Sequence, residues 1–177
     1  MKKLYIFILV LILGSGIFFV ITGKHPTEPQ VQPEIFEKPP TITQSKLIDY
    51  RASFAIFTNG TFRVFTSSMY HNLSSDVFIQ ADNPNIVHVK KENITWDDFF
   101  KTLPFSLTAD CLVTGTKQTF CSGPSGKLKF YLNGIKTDDI LQRVIKEADQ
   151  ALISYGNEDE SEIQRQLKKA PELKSTK

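Results

Sequence analysis

Cysteine, histidine and tryptophan are scarce in this 177-residue chain, with two, three and one respectively. Two cysteines cannot build a disulfide-scaffold protein or an all-Cys structural zinc site. Three histidines leave little material for histidine-based catalysis. The chain has no Gly-rich phosphate loop, Cys-x-x-Cys, His-Glu-x-x-His or Ser-nucleophile elbow, so nothing in it names a reaction. An excess of one charge is missing as well. Lys and Arg number 21 against 19 Asp and Glu, a net charge of +2 that gives no electrostatic footprint for nucleic acid. What is present suits one globular domain with appendages: 41% of residues are hydrophobic and 23% charged. The expectation is a non-enzyme without a cofactor.

The N-terminus decides the compartment. Lys2 and Lys3 precede an uncharged run from Leu4 to Ile21, followed by Lys24. As a helix that run would extend about 27 Å, close to the hydrocarbon thickness of a bilayer. The preceding lysines place the N-terminus in the cytoplasm and the rest of the chain outside it. Residues 1–23 are therefore read as a transmembrane signal anchor, with the lipid bilayer as partner through residues 4–21. A cleaved signal peptide is the alternative, with small Gly23 at the end of Ile21-Thr22-Gly23. Residues 24–46 carry Pro26, Pro29, Pro33, Pro39 and Pro40 without apolar periodicity, which predicts a stiff extended spacer. The net charge also falls in this part of the chain. Residues 1–46 hold five bases and three acids, while residues 47–156 hold 11 of each and residues 157–177 five of each.

Short alternating segments begin at Leu47. Ala52–Phe57 and Thr61–Phe65 flank Thr58-Asn59-Gly60 and predict a β-hairpin, because Asn-Gly supplies positive φ at a tight turn. Phe54, Ile56, Phe62 and Val64 are expected to form its buried face. Val77–Gln80 and Ile86–Val89 read as two further strands separated by Asp82-Asn83-Pro84-Asn85. Thr95 is a good N-cap with Asp98 three residues on, and Trp96, Phe99, Phe100 and Leu103 share one helical face before Pro104 ends the run. Asp97 and Asp98 could be taken for an acid/base pair, but adjacent helix residues point about 100° apart, and capping explains them better. Lys127–Leu132 alternates and ends in Asn133-Gly134. A short helical turn is expected near Asp138–Leu141, then extended chain and a last strand over Ala151–Gly156. Residues 157–177 read as a charged helical tail with a narrow stripe of Ile163, Leu167 and Ala170.

Cys111 and Cys121 bracket two short apolar segments around Gly115-Thr116-Lys117. This spacing lets the sulfurs meet across a hairpin, and outside the cytoplasm the default is a structural disulfide. Thiol–disulfide exchange through the same pair is the alternative function, although reactive pairs usually sit as Cys-x-x-Cys at a helix start. A transition-metal site would need His71 and His88 to converge with an acid such as Asp82; a lone strand histidine is more often simply packed or half-exposed. Asn59, Asn72 and Asn93 each begin a glycosylation sequon. Asn59 also reads as a turn residue, and Asn93 leads into a helix cap.

The order of these segments is similar to a β-grasp (ubiquitin-like) domain with extra strands. Leu128–Gly156 resembles the closing half of such domains. The resemblance implies an α+β fold: a β-grasp-like mixed sheet over residues 47–156 packed on one short amphipathic helix. More narrowly, FAIFTNG, IVHV, ITWDDFFKTL, the cysteine pair, LKFYLNG, ALISYGNE and EIQRQL, spanning Phe54 to Leu167, resemble a family of uncharacterised membrane-anchored extracytoplasmic proteins of archaea and bacteria with small genomes. In that family a His-x-His-Asp stretch precedes a second histidine-bearing strand. His88 matches the second element, whereas Phe78-Ile79-Gln80-Ala81-Asp82 lacks the first pair. If those histidines hold a metal in the family, the resemblance implies that the site is lost here, and it carries no activity over to this chain. Sulfur-carrier chemistry, which needs a free C-terminal glycine pair, does not fit a single Gly156 followed by further chain. The function expected is a binding or interaction module whose partner is a membrane or cell-surface protein.

Overall fold

The computed structural model describes residues 48–171 and residue 173. The proposed membrane anchor and the Pro-rich spacer lie outside these residues. Among those described, no helix is long and apolar enough to cross a membrane.

The chain is α+β, with ten strands and two α-helices among the described residues. In order, β1 (Tyr50–Thr58) and β2 (Thr61–Phe62) form the first hairpin, and β3 (Val77–Phe78) and β4 (Ile86–Val89) follow. Helix α1 (Trp96–Thr102) leads to β5 (Ser106–Leu107), β6 (Cys111–Val113) and β7 (Thr119–Cys121). Then come β8 (Lys127–Leu132), β9 (Ile135–Lys136), β10 (Gln150–Gly156) and helix α2 (Glu160–Leu167). The main sheet is mixed and runs β3-β4-β1-β10-β8-β9, with β2 also on β1; β5-β6-β7 form a second, small sheet. Central β1 pairs parallel with β10, Phe54 beside Ala151 and Thr58 beside Tyr155. Its other edge is shared. The first half, Tyr50–Ser53, takes β4 and the end, Phe57–Thr58, takes β2.

Both faces of this sheet are covered. Phe54, Ile56, Phe130, Ala151 and Ile153 pack with α1 through Trp96, Phe99 and Phe100 in the larger core. The Phe54 ring lies 5.2 Å from that of Phe99 in an edge-on contact. On the opposite face Ala55, Phe57, Tyr131 and Leu152 meet Ile163, Leu167 and Ala170 from α2 and the residues after it. Helix α2 and the chain as far as Ala170 therefore lie against the sheet through the narrow apolar stripe. Burial on two faces explains why β1 is buried without alternation from Ala52 to Thr58.

The hairpin register corrects one expectation. Asn59 and Gly60 both have positive φ, 50° and 73°, as a two-residue turn requires. A two-residue loop sets Thr58 opposite Thr61 and Phe57 opposite Phe62. Directly opposed residues share a face, so Phe62 joins Phe57 under α2, with ring centroids 5.1 Å apart, rather than Phe54 and Ile56. Val64 is 63% exposed, and Phe65, at 4%, enters the core in its place.

Helix α1 begins with a capping box. The Thr95 hydroxyl accepts the Asp98 N–H at 3.1 Å, and the Asp98 carboxylate accepts the Thr95 N–H at 2.9 Å. Asp97 pairs with Lys101 one turn on. Both aspartates serve the helix rather than an acid/base pair. The expected turn before the last strand is a 3₁₀ turn at Ile140–Gln142.

Candidate functional site

The small sheet is a short antiparallel ribbon braced by a covalent cross-link. Cys111 lies directly opposite Cys121, with Leu112 opposite Phe120 and Val113 opposite Thr119. The disulfide between the two cysteines closes the ribbon, and their Cα atoms are 4.1 Å apart. At the far end the chain reverses through Thr114–Gln118, where Lys117 adopts positive φ and the Thr114 N–H donates to the Gln118 carbonyl at 2.9 Å. Gly115 is required at this turn, because a Cβ there would sit 2.8 Å from the Pro104 carbonyl oxygen.

That turn faces the chain leaving β2, and the two enclose an open cleft of about 240 Å³. Ile56, Phe65, Phe105 and Leu112 make its apolar floor, with Tyr70 at the side. Thr61, Thr114 and Thr116 supply hydroxyls, and Arg63 is the one charged residue lining it. Two contacts hold the Arg63 side chain. Its Nε donates to the Thr58 hydroxyl at 2.6 Å, and its guanidinium carbon stands 5.2 Å from the centroid of the Phe120 ring. Phe120 in turn packs edge-on against Tyr155 of β10, so the small sheet, Arg63 and the main sheet are mechanically connected. Exposed Val64 also lines the cleft, and Met69, 50% exposed, lies close to the Gly115 turn.

The sequence-singled histidines are not gathered with a third ligand. His71 engages the Phe65 carbonyl through Nε2 at 2.8 Å. His88 stacks on Phe78 across β3 and β4, with ring centroids 5.2 Å apart and planes 8° from parallel. Burial, and then Lys90, pushes the His88 imidazolium pKa down against the opposing pull of Asp49. Asp82 accepts a hydrogen bond from the Asn83 amide and borders the same surface hollow as His88 and Arg51. Among the described residues no three His, Cys, Asp or Glu side chains converge on one point.

All three sequon asparagines are exposed and adopt positive φ, with Asn72 at 54° and Asn93 at 61°. Each therefore has a backbone reason to be Asn, a residue that tolerates the left-handed region. Sequence reasoning missed two features altogether. One is Arg63 beside the cleft, which the two-residue turn could have located by placing residue 63 opposite Ile56. The other is the Lys129–Glu158 ion pair, 2.9 Å long, with side chains only 13% and 6% exposed. No sequence signal joins those two residues, which sit on β8 and after β10.

Compared with protein-family models, with curated proteins and with solved structures, the chain finds no match.

Proposed function

We propose that the protein is a single-pass, membrane-anchored extracytoplasmic binding module without catalytic chemistry. Residues 4–21 hold it to the bilayer, residues 24–46 space the domain from the surface, and the folded domain engages a membrane or cell-surface protein. The observation carrying this reading is the open, largely apolar cleft between the β1–β2 hairpin and the disulfide-braced ribbon. Apolar recesses with a few placed polar groups are where proteins bind. A β-grasp assignment is supported by the strand order β4-β1-β10-β8-β9, with the two long central strands parallel and their neighbours antiparallel. The proposed kinship with the membrane-anchored extracytoplasmic family rests on the sequence segments alone. Affinity purification of the full chain from solubilised membranes tests the function. A stable protein partner should accompany the native chain and be depleted several-fold with Val64→Asp, and no stable partner under any condition would contradict the reading.

Two other readings each have one observation in favour. Thiol–disulfide exchange through Cys111 and Cys121 is favoured by the partial exposure of both residues. A reduction potential near the glutathione couple would support it, and a far more negative one would leave the bond structural. Transition-metal binding at His88 is favoured by Asp82 bordering the same hollow. A shift of the His88 ring signals on adding zinc would support that reading.

A further inference from the structure

Three observations at the cleft bear on what it holds. First, its volume of about 240 Å³ lies below the range of roughly 300–1,000 Å³ common for small-molecule pockets, and it suits one large side chain better than a whole metabolite. Second, the chain beside it leaves one residue's backbone unpaired, between the Arg63 N–H that is bonded to β1 and the Phe65 carbonyl that His71 engages. After the Arg63 N–H donates to the Ile56 carbonyl at 2.8 Å, the backbone N–H and C=O of Val64 make no hydrogen bond among the described residues. Strand β2 stops at Phe62, and the free Val64 N–H and C=O beside it can take a backbone pair from an added segment. Third, the cleft has an uncompensated cation. Arg63 is half-buried and fixed through Nε and Phe120, yet it has no ion pair among the described residues, and no acid lines the cleft. A guanidinium held in place by its Nε keeps its terminal N–H donors available for a carboxylate.

We infer that the cleft receives an extended acidic–apolar peptide segment of a partner protein, which lies alongside residues 63–65, inserts one large apolar side chain between Phe65, Phe105 and Leu112, and places a neighbouring carboxylate on Arg63. This inference rests on the binding-module reading and names its site and the partner's chemistry. The charge complementarity selects this occupant. A purely apolar segment leaves the Arg63 donors unmatched, and a basic one repels them.

The test uses the isotope-labelled full chain in detergent micelles and two probe peptides, acetyl-Val-Glu-Phe-Glu-Val-amide and the counterpart with Gln in place of both Glu. Amide signals of Val64, Phe65, Thr114 and Thr116 should move on titration. The Glu peptide should bind about tenfold more tightly, the value of one charge-assisted hydrogen bond. Arg63→Gln should bring the ratio to about one. Val64→Asp, at a site that is 63% exposed, should do the same by neutralising the guanidinium locally, and it tests the idea even if Arg63→Gln fails to fold. Equal affinities in the native chain would overturn the inference, as would binding of neither peptide. Signal changes confined to another surface would overturn this site while leaving the binding-module reading intact. That reading stands or falls separately, on recovery of a partner from membranes.

Discussion

Glu158 ties together three parts of the chain with one carboxylate. Its Oε1 accepts the Gly60 N–H at 3.0 Å, in the β1–β2 turn, and its Oε2 accepts Lys129 Nζ at 2.9 Å. Lys129 Nζ also donates to the carbonyls of Gly156 and Glu158, so all three of its protons are engaged. A buried pair of this kind is costly to break from one side, since the remaining charge keeps its desolvation cost without a partner. Lys129→Met should lower unfolding stability by about 3–5 kcal/mol. The double variant Lys129→Met/Glu158→Gln should recover much of that loss, because a Gln amide oxygen can still accept from Gly60. Urea denaturation of the four species, read as a double-mutant cycle, checks both statements. At His88 the sign of the pH effect follows from burial. The folded chain disfavours the imidazolium and so binds its proton later than the unfolded chain as pH falls. The stability contribution is complete above the unfolded value of about 6.5 and is lost as pH drops through the depressed folded value. An NMR titration should place the His88 midpoint below about 6.5, and His88→Gln should flatten the acid side of the stability profile. At this scale the sequence was legible where local rules act alone. Asn59-Gly60 and Asn133-Gly134 take positive φ as their dipeptides require. The Lys129–Glu158 pair was hidden because its partners meet only after β8 and β10 have paired.

Among the elements, the disulfide ribbon and helix α1 depend on different forces. The ribbon has three-residue strands, and β5 adds only two residues to its edge. Such short pairing is marginal by itself, so the cross-link carries much of its order. Replacing both cysteines by Ser should cost about 2–3 kcal/mol by the loop-closure estimate for a loop near ten residues. Hydrogen exchange should speed up mainly in β6, β7 and the Thr114–Gln118 turn, with the main sheet still protected. Helix α1 is held by its cap and its aromatic face. Thr95→Ala removes an acceptor for the Asp98 N–H and should cost about 1 kcal/mol, measurable by thermal unfolding. The Asp98 carboxyl, kept below the usual carboxylate range by the Thr95 hydroxyl and N–H, contributes stability above its unfolded pKa that is lost as pH falls through the folded one. This helix could be read directly, because cap, stripe and terminating proline agree within ten residues. Strand β2 could be read only in part. Its turn is local, but its face depends on counting the loop, and the alternation of Phe62 and Val64 points to the wrong side unless that count is made.

In the whole molecule, the governing fact is the parallel pairing of β1 with β10, which joins the first described strand to the last. Contacts this far apart in sequence leave no local signature, so the strand segments were legible while their order in the sheet was not. The same holds for α2. Its apolar stripe was visible in Ile163, Leu167 and Ala170, yet its docking onto Ala55, Phe57 and Leu152 required a sheet with two buried faces. The cleft depends on the assembled molecule in the same way, because its walls come from the β1–β2 hairpin, the segment after α1 and the cross-linked ribbon. A side chain there is therefore the best reporter on the proposed function. Photo-crosslinking in intact membranes, with p-benzoylphenylalanine in place of Val64 and, separately, in place of exposed Arg165 on α2, asks whether a partner protein occupies the cleft. One discrete protein adduct is expected from the Val64 position and none from the Arg165 position. No adduct from Val64, or the same adducts from both positions, would contradict the proposed function.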